Sequence, residues 1–209
     1  MHVNPSTGAT GRAGAVRTPR ADAVRNRGLL LRTARAMVAE DGAHRVTMEH
    51  LAERAGVGKG TVFRRFGSRA GLFRALLEDD ERDFDARFRY GPPPLGPGGD
   101  PLTRLIAYGA ERAAFLQDRH AVVRSCFDSR QTVPAEVSAT TRDHLRLLLR
   151  QAGLAFADPE SLALQLTGAL EGPVFLRLAQ PDSAAAPSSW DTAALAACWR
   201  TLIERLALA

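Results

Sequence analysis

Cationic and hydroxyl side chains gather most densely at 59–65, KGTVFRR, where Lys59, Thr61, Arg64 and Arg65 stand with no acidic residue among them. Ammonium and guanidinium groups donate to phosphate oxygens and to guanine edges, and a threonine hydroxyl serves either surface. Nothing of comparable density points to catalysis. His44, His50, His120 and His144 are scattered without metal-ligand spacing, and no GxSxG, HExxH, P-loop or dinucleotide fingerprint occurs. Cys126 and Cys198 are far apart, outside any CxxC pair. They read as two buried, reduced thiols of an intracellular protein. Arg124 leaves a redox role open at Cys126. No metal or cofactor is expected.

The elements that would position the basic stretch are legible around it. Thr47 can cap a short helix with an apolar face of Met48, Leu51, Ala52 and Ala55. Gly56 supplies a left-handed stop, Val57 packs back, and Gly58 restarts the chain. A second short helix comes next at 59–65, burying Val62 and Phe66. Two short helices joined by a glycine-bearing turn form a helix-turn-helix, whose second helix fits a DNA major groove. An amphipathic helix over 21–41 precedes them, with Leu30, Ala34, Met37 and Val38 on one face and Gly42 at its end. After them, Gly67, Ser68 and Arg69 break and cap a long helix to about 89. Leu72, Leu76, Asp80, Phe84 and Phe88 lie on its i+4 row, and Phe73 and Leu77 widen the stripe that Asp80 interrupts. At 1.5 Å per residue this helix spans about 30 Å, enough to leave the headpiece and enter the next domain.

In order, Arg45-Val46-Thr47, Leu51-Ala52, Ala55-Gly56-Val57, Gly60-Thr61-Val62-Phe63, Phe66, Ser68-Arg69 and Leu72-Phe73 resemble the N-terminal domain of TetR-type transcriptional regulators. The resemblance covers about sixty residues, from Arg20 to Asp80; the remaining two thirds resembles the family only in helix number and length. It implies an all-α protein of nine or ten helices, a helix-turn-helix domain joined to a helical ligand-binding and dimerisation domain. It further implies that Lys59, Gly60 and Thr61 approach base edges, with Gly60 letting the backbone near the groove wall. Arg64 would also reach a base, while Arg45, Thr47, Arg65 and Arg69 would hold phosphates. Phe63 stands on the phosphate side where the family usually has a tyrosine. The ring is kept and the hydroxyl's bond is lost, with Arg64 and Arg65 close enough to compensate.

Charge supports the same polarity. The net charge of +5 divides into +9 over residues 1–75 and −4 over 76–209, a footprint for a polyanion confined to one end. Lys59 is the only lysine. Residues 1–19 are poor in large apolar side chains and read as a disordered arm. Arg12, Arg17 and Arg20 could reach a minor groove or simply be solvated. No signal peptide or membrane-length apolar run occurs, so a soluble protein of the cytoplasm, at the nucleoid, is expected. The clearest break is GPPPLGPGGD at 91–100. Beyond it helices are expected at 101–117, 119–128, 134–152, 159–179 and 190–207, nine in all. The domains expected are the arm, a DNA-binding domain at 20–68, and a regulatory and dimerisation domain at 69–209 with a loop at 90–100.

Two late stripes read as a partner surface. Leu166, Ala169, Leu170 and Pro173 lie beside Gly168 and Gly172, and Leu195, Trp199, Leu202, Ile203 and Leu206 fall near a and d spacing. With the family resemblance they imply a four-helix homodimer interface; alternatively both stripes close the monomer's own core. A small-molecule effector would sit between helices, with candidate lining Phe84, Phe88, Phe115, Cys126, Phe127, Gln165 and Phe175. Glu171 and Arg177 are polar exceptions on a mostly apolar helix. The function expected is a ligand-released repressor reading a palindromic operator as a dimer. The alternatives are an architectural DNA-binding protein and an all-helical enzyme.

Overall fold

The computed structural model describes residues 19–126, 135–153, 158–178 and 191–208. Among them every regular element is helical: α1 Pro19–Asp41, a 3-10 turn Ala43–Arg45, α2 Met48–Arg54, α3 Lys59–Phe66, α4 Arg69–Tyr90, α5 Pro101–Asp118, α6 His120–Cys126, α7 Ala135–Gln151, α8 Pro159–Leu178 and α9 Thr192–Leu206. The expected all-α class and its nine α-helices are found among the described residues. The N-terminal arm with Arg12 and Arg17, the side chain of Arg20, and Phe127 lie outside them.

Local chemistry sets the element ends. The Thr47 hydroxyl accepts from the His50 N–H at 3.1 Å, and Gly56, at φ +67°, lets the Val57 N–H return to the Ala52 carbonyl at 2.9 Å. Ser68 caps α4 by accepting from Gly71 N–H at 3.0 Å. The Asp100 carboxylate caps α5 at 2.8 Å from Thr103 N, ahead of Pro101 in the first turn.

One buried cluster joins α1, α2, α3 and the first turns of α4 around Leu30, Ala34, Met37, Val46, Leu51, Val62, Leu72 and Phe73. Each such leucine or phenylalanine contributes about 1.5–3 kcal/mol. In the body α5 is central and packs against α7, α8 and α9, α7 packs on α8, and α6 packs on α4. Phe84, Phe88, Tyr108 and Phe115 stack between α4 and α5, with neighbouring ring centroids 5.0–5.6 Å apart, and His144 from α7 lies 4.1 Å from Phe88. α4 therefore belongs to both halves. The Arg35 guanidinium of α1 fastens its middle, donating to Asp79 at 2.8 Å and to Asp80 at 2.6 Å.

His144 makes the body acid-sensitive. Burial pushes its imidazole down to about 4, with Arg104 and Arg89 acting in the same direction, and its Nε2 has no hydrogen-bond partner. An unfolded histidine takes its proton near 6.5. The unfolded state therefore binds that proton first, and stability present above pH 6.5 is lost as pH falls toward 4. The loss from this residue is about 3 kcal/mol. Denaturant unfolding at both ends of that window should show His144→Phe losing that much less than the native chain. Equal losses would remove His144 as the cause.

Candidate functional site

α3 turns Val62 and Phe66 inward and leaves Lys59, Gly60, Phe63, Arg64 and Arg65 exposed, with Thr61 half-buried. The outward surface thus carries three cations, a hydroxyl and an open phenyl ring that is 41% exposed at Phe63. Arg65 is lightly tethered, donating to the Ala23 carbonyl of α1 at 3.3 Å. A Cβ at Gly60 would meet no atom within 4 Å, so internal packing does not require glycine there. Gly58 precedes α3 without a side-chain cap; the Thr61 N–H returns to the Gly58 carbonyl at 2.8 Å, which leaves the Lys59 and Gly60 N–H groups to outside acceptors. Thr47 is exposed at the start of α2; its oxygen accepts the capping bond while the hydroxyl proton stays free to donate. Arg45 is exposed at the end of the 3-10 turn. Lys59, Gly60, Thr61, Phe63 and Arg64 are thus together on one short helix, with Thr47 and Arg45 on neighbouring elements.

Arg69 differs from the other basic candidates. It donates to the Val46 carbonyl at 2.8 Å and the Ala43 carbonyl at 2.6 Å, and its guanidinium lies 4.7 Å from the Phe73 ring centre. Two donors are therefore spent tying α4 to the 3-10 turn. Arg69→Ala should lower headpiece stability by about 2–3 kcal/mol, the worth of charge-assisted bonds to buried carbonyls. Arg45→Ala should stay within about 0.5 kcal/mol. Urea unfolding of the two variants checks this; equal stabilities would leave Arg69 no anchoring role.

The candidate effector residues separate. Phe84, Phe88 and Phe115 are buried in the aromatic cluster, and Phe84 and Phe115 also floor an open cleft of about 160 Å³ between α4 and α5. Gln165 is exposed on α8. Phe175 makes no ring contact with the cluster among the described residues. Cys126 is buried on α6, donates to the Val122 carbonyl at 3.2 Å, and has its thiol pushed up to about 12 by burial. The neighbour expected to activate it, Arg124, donates instead to the Arg177 carbonyl. Burial thus disfavours the thiolate on which a redox role would depend. The expectation of two buried cysteines fails: Cys198 is exposed.

The two late stripes divide as well. Leu166, Leu170, Trp199 and Ile203 are buried within the chain's own body, and the Trp199 indole donates to the Leu105 carbonyl at 2.8 Å. Ala169 and Leu202 are exposed, and Pro173, Leu195 and Leu206 half-buried. Leu164 and Leu176 of α8, absent from the sequence candidates, are 59% and 67% exposed. The sequence candidates also missed a buried charge cluster. Arg112 is fully buried on α5 and bonds both Glu81 oxygens of α4 at 2.8 and 2.7 Å and Glu171 of α8 at 2.8 Å. Its signal was a charged residue within the apolar stripe of each of three helices.

Among the described residues no group of histidine, cysteine, aspartate and glutamate could hold a metal, and no helix is long and apolar enough to cross a membrane. Residues 30–76 match the family described as "Bacterial regulatory proteins, tetR family". No curated protein matches the chain. Its fold is similar to that of a TetR-family transcriptional regulator from Pectobacterium atrosepticum, at a TM-score of 0.68 and 22% identity, covering 91% of this chain and 95% of that one. A fatty acid degradation regulator, FadR, from Bacillus halodurans is similar at 0.59 and 19% identity, covering 84% and 96%. NalD, the secondary repressor of the MexAB-OprM multidrug efflux pump in Pseudomonas aeruginosa, is similar at 0.54 and 18% identity, covering 88% and 96%.

Proposed function

We propose that this chain, which carries the N-terminal domain of the tetR family of bacterial regulatory proteins at residues 30–76, is a one-component transcriptional repressor that binds a palindromic operator as a dimer and is released by a small molecule. The observation that carries the reading is α3 itself, a short helix whose outward residues are basic, small or, at Phe63, aromatic, and include no carboxylate. In this reading Lys59, Gly60, Thr61 and Arg64 meet base edges, while Arg45, Thr47 and Arg65 meet phosphates beside the Phe63 ring. Arg69 contributes chiefly by holding the headpiece together. The outward residues of α8 and α9, among them Leu164, Ala169, Leu176 and Leu202, support pairing of two copies, which would set two α3 helices about one helical turn apart. An effector in the body acts only through its different affinity for the two reader spacings.

Selection of bound sequences from a random DNA pool at moderate salt tests the reading. Recovery of an inverted repeat supports it; no enrichment by the folded protein would favour phosphate-only, architectural binding. Gly60→Ala is the sharpest variant. It should keep or slightly raise stability, by up to about 1 kcal/mol of helix propensity. Operator affinity should nevertheless fall roughly tenfold, one methyl group against the groove wall. Lys59→Ala should relax base preference. Unchanged affinity and selectivity in both variants would remove α3 as the reader.

A further inference from the structure

The cleft between α4 and α5 has a chemistry of its own. Its floor is the Phe84 and Phe115 rings, and its walls carry Asp80, Asp83, Glu111 and Asp118 against Arg87 and Arg119. Asp80 is held by Arg35 as well as Arg119, and Glu111 by Arg87, so the excess negative charge of the cleft lies at Asp83 and Asp118. The chain's own cations already use the aromatic floor. The Arg119 guanidinium lies 4.7 Å from the Phe115 ring centre and that of Arg87 lies 5.8 Å from Phe84. A cation over a phenyl face is worth about 0.5–1 kcal/mol where exposed and about 2 where desolvated. Arg119 is only moderately held, at 3.2 Å from Asp80 and 3.6 Å from Asp118. Arg87 pairs with Glu111 on an exposed rim, where such pairs are weak.

We propose that this cleft binds a small organic dication, with one guanidinium or alkylammonium group over the Phe115 ring in the place of Arg119 and a second on the rim carboxylates Asp83 and Asp118. A monocation would compete poorly with a tethered arginine, which is present at high effective concentration. A second charge a few bonds away uses the carboxylate excess that the arginines leave. The site rests on the proposal that the body takes a small molecule, and it names that molecule's class. Its position also gives occupancy a consequence. One Asp80 oxygen accepts from Arg119 and the other from Arg35 of the headpiece. A ligand that evicts Arg119 therefore changes the partner balance of the carboxylate that fastens α1 to α4.

The test is calorimetric titration of the full chain at physiological salt with agmatine, a guanidinium and an ammonium on a four-carbon chain, and with uncharged n-butylurea. One saturable agmatine site per chain with no heat from n-butylurea is expected. The double variant Asp83→Asn, Asp118→Asn alters two exposed rim side chains and should weaken agmatine at least roughly tenfold. No saturation of the folded protein by about 10 mM, well above any specific affinity of interest, would overturn the proposal. So would equal binding of n-butylurea, or a double variant that binds agmatine as the native chain does. Operator affinity measured with agmatine at constant ionic strength separates the two readings. Agmatine binding that leaves operator affinity unchanged would uphold the site and overturn release by ligand at this cleft.

Discussion

Replacing Arg112 with alanine is expected to cost the folded state about 3–5 kcal/mol, a large share of a domain's total stability. The guanidinium is fully buried between Glu81 of α4 and Glu171 of α8. Glu171 also accepts from Thr141 at 2.9 Å and from Ser138 at 2.5 Å, so its carboxylate cannot turn away to water without breaking contacts with α7. Removing the cation leaves two carboxylates facing one another in a region of low dielectric. Burial already holds the Glu81 carboxyl above its usual range, against the pull of Arg112 and with Glu171 adding to the rise. A carboxyl whose folded pKa is raised binds its proton more tightly when folded, so stability is gained as pH falls through that value. Without Arg112 the rise should grow; both chains share the loss at His144, so the stability gap between Arg112→Ala and the native chain should narrow from pH 7 to 5. Adding Glu81→Gln and Glu171→Gln to Arg112→Met should restore most of the loss, because no buried charge then lacks a partner. Denaturant unfolding of the native chain and these variants at both pH values decides it. A small loss, within about 1 kcal/mol, would mean that water reaches the cluster.

The second large effect is expected from one methyl group. A Cβ at Gly109 would lie 2.0 Å from the Trp199 Nε1 and 2.2 Å from its Cε2. The indole is flat, buried, and fixed by its bond to Leu105, so it cannot swing aside as a flexible chain end would. Gly109→Ala must push α9 away from α5. Helix propensity returns about 1 kcal/mol, while overpacking removes about 1–3 kcal/mol and the lost indole bond about 1 kcal/mol more. The net loss should be about 1–3 kcal/mol. In a Trp190→Phe background the Trp199 emission should shift to the red as the ring meets water. Trp199→Leu costs stability alone, yet should cost much less on top of Gly109→Ala, because both act through the same contact. Additive losses and an unshifted emission would mean that α9 does not rest on Gly109.

The helices were legible because their stops are local: Gly56, Gly67, the proline-rich 91–100 segment and the caps at Thr47, Ser68 and Asp100 act within a few residues. The headpiece was legible for the same reason, its core lying on short-range periodicity. What periodicity hides is the partner across helices. Arg112 meets residues 31 and 59 positions away. On each helix alone, Glu81, Arg112 and Glu171 look like interruptions of an apolar row. Trp199 and Ile203 fit a coiled-coil stripe, yet Gly109 lets α9 sit so close to α5 that both turn into the monomer. Arg69 carried the same charge as its neighbours on α3, and only the carbonyls of the 3-10 turn distinguish it as an anchor.

One helix runs through both ends of a single core. α4 gives Leu72, Phe73 and Leu76 to the headpiece and Phe84 and Phe88 to the body, with Asp80 tied to α1 between them. The chain therefore has no seam where its functions meet. A headpiece transplanted onto another body would carry a bare apolar face along its last helix, and a body deprived of its headpiece would begin on a half-clothed one. Exchange of parts between relatives of this architecture must accordingly preserve the whole of this shared helix. Its twenty-two residues carry the constraints of both ends on one rigid rod, so neither half can be exchanged without the other.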